Sequence, residues 1–127
     1  MDRKNNISHF RDLEVYQRAF AAAMRIFEMT KNFPNEEKYS LTDQIRRASR
    51  SVCTNLSEGW RKRKYPAVFR NKITDSMMEG SETQCWLEFS QACKYIDTQI
   101  FIELDQEYEA ILAMLNSMER QSEKFCF

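Results

Sequence analysis

PAVFRNKITDSMMEGSETQCWLEFSQACKYI, residues 66–96, is the stretch whose reading decides the fold. At about 100° per residue, Phe69, Ile73, Met77, Gly80 and Leu87 fall on one side of a helix. Met78, Cys85, Trp86, Phe89, Ala92, Cys93 and Ile96 define a second stripe, roughly opposite. A surface helix of a self-contained protein needs only one apolar stripe. Two stripes need cover on two sides. One side can face a bundle core; the other needs a neighbouring helix or another subunit. Pro66 suits the first helical turn, and the helix is expected over about 66–97.

Three further periodic stretches surround it. Over about 10–32, Leu13, Tyr16, Phe20, Ala23, Met24 and Phe27 share one arc, which Phe33-Pro34 ends. Over about 39–63, Leu41, Ile45, Ala48, Val52 and Leu56 form a narrow stripe, and Ser40 with Asp43 resembles a capping box. Over about 99–122, Leu104, Tyr108, Ile111, Leu115 and Met118 form one clean stripe. Glu103, Asp105, Glu107 and Glu109 crowd its first half, where the helix dipole favours carboxylates. Only two Gly and two Pro leave little material for turns. Four long helices with short connections give an all-α, antiparallel, up-down-up-down four-helix bundle. At 127 residues one domain is expected, spanning 1–127. The apolar tail Phe125-Cys126-Phe127 either docks on a neighbour or is disordered.

Met1 to Asn6 are polar and no apolar run approaches the ~18–20 residues of a membrane span. A cytoplasmic protein without a membrane partner is the expectation. Cys53, Cys85, Cys93 and Cys126 form no C-x-x-C pair and read as free thiols packed as small hydrophobes. With His9 the one histidine, neither a zinc site nor a Glu-x-x-His di-metal site can be assembled, and no catalytic triad can be built. No Gly-rich phosphate loop is present. The residues therefore indicate a non-enzyme, with no cofactor, no metal and no small-molecule substrate.

The net charge is zero, but residues 44–72 carry nine Lys/Arg and one acid, while 75–109 carry nine Asp/Glu and one base. Either the two blocks attract each other inside the bundle, or they offer a basic surface to an anionic partner or a contact between subunits. Arg61-Lys62-Arg63-Lys64, flanked by Trp60 and Tyr65, is a candidate nucleic-acid site, because aromatics stack on unpaired bases while cations hold phosphates. Arg46, Arg47 and Arg50 extend it along the second helix. A solvated loop is the plainer reading. Asn55 and Glu58 are expected to make hydrogen bonds that fix helix register. Gly59 marks either a close helix contact or the onset of fraying.

Several stretches read together carry a family resemblance. FRDLEVYQRA (10–19) precedes Phe33-Pro34, Glu37 and Tyr39, then LTDQIRRA (41–48). Ser51-Val52 and NLSEG (55–59) follow, then ETQCWLEF (82–89), Ala92-Cys93 and Tyr95-Ile96. Over about residues 10–97 the chain resembles the four-helix-bundle 23S rRNA intervening-sequence proteins of bacteria. The resemblance implies an antiparallel bundle, a ring-shaped homopentamer and a biochemical role that is not settled. The related accessory protein of diversity-generating retroelements is a basic pentamer that binds nucleic acid; this chain differs in being neutral. Gln44, Arg47, Ser51, Asn55, Glu58 and Gly59 match the family signature, and most are expected to serve packing. The expected role is a homo-oligomeric scaffold or interaction protein, with an RNA- or DNA-binding module as the alternative. The possible subunit contact is Met78, Trp86, Phe89 and Cys93 on the third helix.

Overall fold

The computed structural model describes residues 7–127; the polar Met1–Asn6, on which the absence of a leader was read, lie outside the described residues. The helices are α1 (Glu14–Thr30), α2 (Leu41–Arg61), α3 (Pro66–Ala92) and α4 (Thr98–Arg120), with single 3-10 turns at Phe10–Asp12, Asn35–Glu37 and Ser122–Lys124. They form the antiparallel four-helix bundle, each packed on its neighbours in chain order and α4 returning to α1. The α2–α3 seam is the most extensive and the α1–α4 seam the thinnest.

Local chemistry explains the helix ends that differ from expectation. Helix one starts at Glu14 instead of Phe10 because the Asp12 carboxylate accepts the N–H groups of Ser8 (3.1 Å) and His9 (3.0 Å). That closes a tight turn, and Leu13 then leaves it extended and is buried. The Ser40–Asp43 capping box does not form. Ser40 Oγ instead donates to Glu37 (2.6 Å), which also accepts the Leu41 N–H (3.3 Å), and Asp43 pairs with Arg47. Helix three stops at Ala92, short of residue 97. Lys94 there adopts φ 65, Tyr95 N–H reaches Ser90 O (2.9 Å) and Lys94 N–H reaches Gln91 O (2.8 Å). These are the two bonds of a Schellman motif, closed on a lysine where glycine is favoured. Lys94→Gly is expected to stabilise the fold by about 0.5–1 kcal/mol, read from urea unfolding. A loss of stability would contradict the strain assigned to this residue.

The core runs through all four helices. It takes Ile26 from α1, Ile45, Val52 and Leu56 from α2, Phe69, Ile73 and Leu87 from α3, and Leu104, Tyr108, Ile111 and Leu115 from α4. On α1 the expected arc is displaced by roughly one residue, about 100°. The buried stripe is Val15, Ala19, Ala22, Ala23, Ile26 and Thr30; of the expected arc Leu13 and Ala23 are buried, while Phe20 is 51% and Met24 45% exposed. Three alanines let α1 lie close to the bundle, so the larger side chains beside them turn outward.

The Gly59 alternatives resolve as a close helix contact. A Cβ there would stand 3.0 Å from Lys72 Cβ and 3.4 Å from Ile73 Cδ1. At Gly80 it would stand 3.0 Å from Leu112 Cδ2, the mobile end of a side chain. Alanine gains about 1 kcal/mol in a helix over glycine. Gly59→Ala should nonetheless lose about 1 kcal/mol net, since α2 and α3 must part. Gly80→Ala should be neutral or gain up to about 1 kcal/mol. Equal effects in thermal melts would refute the contrast.

Candidate interaction surfaces

Helix α3 turns its Phe69–Leu87 stripe into the core, and most of the second stripe is left without cover; Ile96, expected on that stripe, lies beyond the end of α3 and is buried in the core. Phe69, Ile73 and Leu87 are fully buried, whereas Met78 is 65% and Phe89 55% exposed. Trp86 is half-buried, packs against Phe89 (5.8 Å between centroids), and donates its Nε1–H to Glu82 (3.1 Å). Trp86, Phe89 and Cys93 line a groove of ≈ 540 Å³ with Tyr39, just before α2, and Gln44 in its first turn. Met78 lies farther along the same face of α3, outside that groove. Three of the four candidate contact residues are thus brought together. Glu37 borders the groove and holds Tyr95 by a 2.8 Å hydrogen bond, which pushes the tyrosine up to about 12.

A second apolar surface lies on α1, diagonally across the bundle. Phe10, Tyr16 and Phe20 form a line, with centroids 5.0 and 6.1 Å apart, and Met24 and Phe27 continue the face. The sequence reading assigned this stripe to the core. The signal that separates the two faces is the alternative spacing Val15, Ala19, Ala22, Ile26, which is as periodic but built of smaller residues.

The cations of the candidate nucleic-acid site differ in their surroundings. Arg46 donates to Thr30 Oγ1 (2.8 Å) and lies 4.8 Å over the Phe27 ring, so it stitches α2 to α1. Arg47 pairs with Asp43 one turn earlier (3.0 Å). Arg63 is held between Trp60 (3.6 Å) and Phe127 (5.2 Å) and donates to Trp60 O, and burial lowers its pKa. Arg61 sits beside His9 (3.3 Å) and over Phe10 (5.8 Å), still exposed. Arg50, Lys62 and Lys64 are exposed as well. The tail docks on the chain's own core, because Phe125 stacks on Phe69 at 6.1 Å.

The two charge blocks do not neutralise each other inside the bundle. Among the described residues no ion pair joins 44–72 to 75–109. Two of the α4 acids are met by α1 instead: Arg18 grips Glu107 with two bonds (2.7 and 3.0 Å), and Arg25 pairs with Glu103. The acids of α3 stay unpaired, and Glu79 has its carboxyl pushed up by burial and by Glu82 and Asp75.

In the family signature, Glu58 reaches across to Lys72 on α3 (2.9 Å) and Gly59 sets the close approach. Asn55 departs from the expected bond between helices: its side chain bonds Ser51 O within α2 (2.9 Å), one turn back on the same face. Gln44 and Arg47 are exposed and do not serve packing. All four cysteines are free, but Cys53 alone is buried; Cys85 and Cys93 face solvent because they lie on the uncovered side of α3. Among the described residues no group of three or more His, Cys, Asp or Glu could hold a metal ion. No described helix is long and apolar enough to cross a membrane.

The crystal structure of a protein of unknown function from the S23 ribosomal protein family of Bacteroides thetaiotaomicron VPI-5482 has the same architecture. It aligns with TM-score 0.75 and 27% identity, covering 83% of this chain and 97% of that one. A comparison with curated proteins gives no match. The family model for the 23S rRNA-intervening sequence protein matches residues 11–117, most of the helical bundle just described, and the chain belongs to that family.

Proposed function

We propose that this protein is a non-enzymatic scaffold that assembles from copies of itself in the cytoplasm. The observation that carries the reading is the pair of uncovered apolar surfaces on α1 and α3. Phe20, Met24, Met78 and Phe89 are each at least 45% exposed. Contiguous exposed apolar patches mark interaction sites. Two different patches on one bundle suit repeated head-to-tail contact, which closes into a ring when the rotation allows. Five copies is the number the family resemblance implies. Four unpaired thiols fit a reducing compartment. No membrane, cofactor or small-molecule substrate enters this reading. Analytical ultracentrifugation at micromolar concentration is expected to give a multiple of the 15.2 kDa chain mass. A monomer would overturn the proposal.

A second reading rests on Tyr65, which is 53% exposed beside Lys62 and Lys64, with Arg61 and Arg50 of α2 as further cations. Tyr65 can stack on an unpaired base while the cations meet phosphates. That reading expects a gel shift with structured RNA at low salt, weakening steeply as salt rises. Binding that survives charge reversal of Arg61, Lys62 and Lys64 would refute it.

A further inference from the structure

We propose that the α1 surface of one copy docks on the α3 surface of the next, aromatic stripe on apolar stripe, with arginines of one meeting carboxylates of the other. This inference rests on the scaffold reading and specifies its contact.

The two surfaces carry opposite charge. The α1 line of Phe10, Tyr16 and Phe20 has Arg61 over one end, and Phe27 farther along has Arg46 and Arg50 at 4.8 and 5.7 Å. Each of these arginines comes from α2, so the flank is as fixed as the α1–α2 seam. The α3 stripe of Met78, Trp86 and Phe89 shares its side of the helix with Asp75, Glu79 and Glu82. None of these three acids has an ion-pair partner among the described residues. Glu82 fixes the Trp86 ring through its Nε1–H, so the groove is shaped before anything occupies it. The mutual repulsion within this acidic row is relieved when cations arrive from another molecule.

Neither surface suits itself. Two α1 surfaces face to face would set arginine against arginine, and two α3 surfaces carboxylate against carboxylate, which suppresses symmetric pairing. One surface on the other is complementary in both polarity and charge. Each copy carries one of each on diagonally opposed helices, so a bound copy always leaves one of each free for the next.

The test uses two variants of the full chain. Phe20→Glu with Met24→Glu spoils the α1 surface, and Met78→Gln with Phe89→Gln spoils the α3 surface. All four side chains are at least 45% exposed, so both variants should melt close to the parent. Self-association of each alone is expected to fall about 100-fold or more, from the apolar area no longer covered. Mixed one to one, they should form a particle of two chains and nothing larger, since each variant supplies the surface the other has lost. If the parent assembles but the mixture yields no two-chain particle, or either variant alone forms a stable dimer, the docking is wrong and the scaffold reading survives. If the parent itself is a monomer, both fall.

Discussion

Phe69→Ala is expected to destabilise the protein by about 3–5 kcal/mol, the range for truncating a fully buried phenylalanine. A domain of this size has about 5–15 kcal/mol in total, so the variant stands near the edge of folding. The size of the effect follows from position. Phe69 is 0% exposed in the first turns of α3 and stacks on Phe125 of the tail. Its carbonyl lies at the close approach to Gly59 on α2. Alanine would leave a cavity where α2, α3 and the tail meet. The Phe125 and Cys126 amides, which now bond Ser122 O at 2.9 Å, should exchange faster with solvent than in the parent. A urea midpoint shift worth less than about 1 kcal/mol would mean that the tail does not belong to the core.

Tyr108→Phe should act in the opposite direction, raising stability by about 1–3 kcal/mol at neutral pH. Tyr108 is 0% exposed in the middle of α4, and its hydroxyl has no hydrogen-bond partner among the described residues. A buried hydroxyl without a partner forfeits its bonds to water on folding, and phenylalanine keeps the ring without that penalty. The pH dependence carries the same signature. Burial raises the Tyr108 pKa above its ordinary 10.0 and pushes the Cys53 thiol up from 9.0 to about 11. The unfolded chain therefore releases these protons first. Their contribution is complete below pH 9 and is lost as pH rises through the folded values. Tyr108→Phe should lose less stability than the parent between pH 10 and pH 12. A variant that melts below the parent at pH 7 would show that the hydroxyl is satisfied after all.

Much of the fold was legible in the sequence. The α2 and α4 stripes each matched the buried set because most large apolar residues of those helices point one way. Leu41, Ile45, Val52 and Leu56 on α2, and Leu104, Tyr108, Ile111 and Leu115 on α4, form the dominant face, with Ile102 left 40% exposed. Helix α1 was misread because it has two faces of similar period, and residue size favoured the wrong one. Close packing chose the stripe of Ala19, Ala22 and Ile26, since small residues let helices approach. The interaction surfaces were legible in part. Met78, Trp86, Phe89 and Cys93 stood out as surplus on α3, whereas Phe20 and Met24 were hidden by being counted as core. The basic residues of α2 and the loop after it read as one set, but Arg46, Arg47 and Arg63 take partners within the chain that periodicity does not reveal.

By itself the sequence determined that this chain is all-helical, that it has four helices joined by short turns, and that α3 carries more apolar surface than one bundle can cover. Those properties follow from hydrophobic period and turn chemistry, which act over a few residues. Only the tertiary structure decided which stripe of α1 and of α3 faces inward, which charges neutralise one another, and that the uncovered surfaces lie on helices that are not neighbours. Those depend on which helix lies beside which. Arg18 and Arg25 reach Glu107 and Glu103 only because α4 returns to α1, whereas among the described residues no cation pairs with the acids of α3.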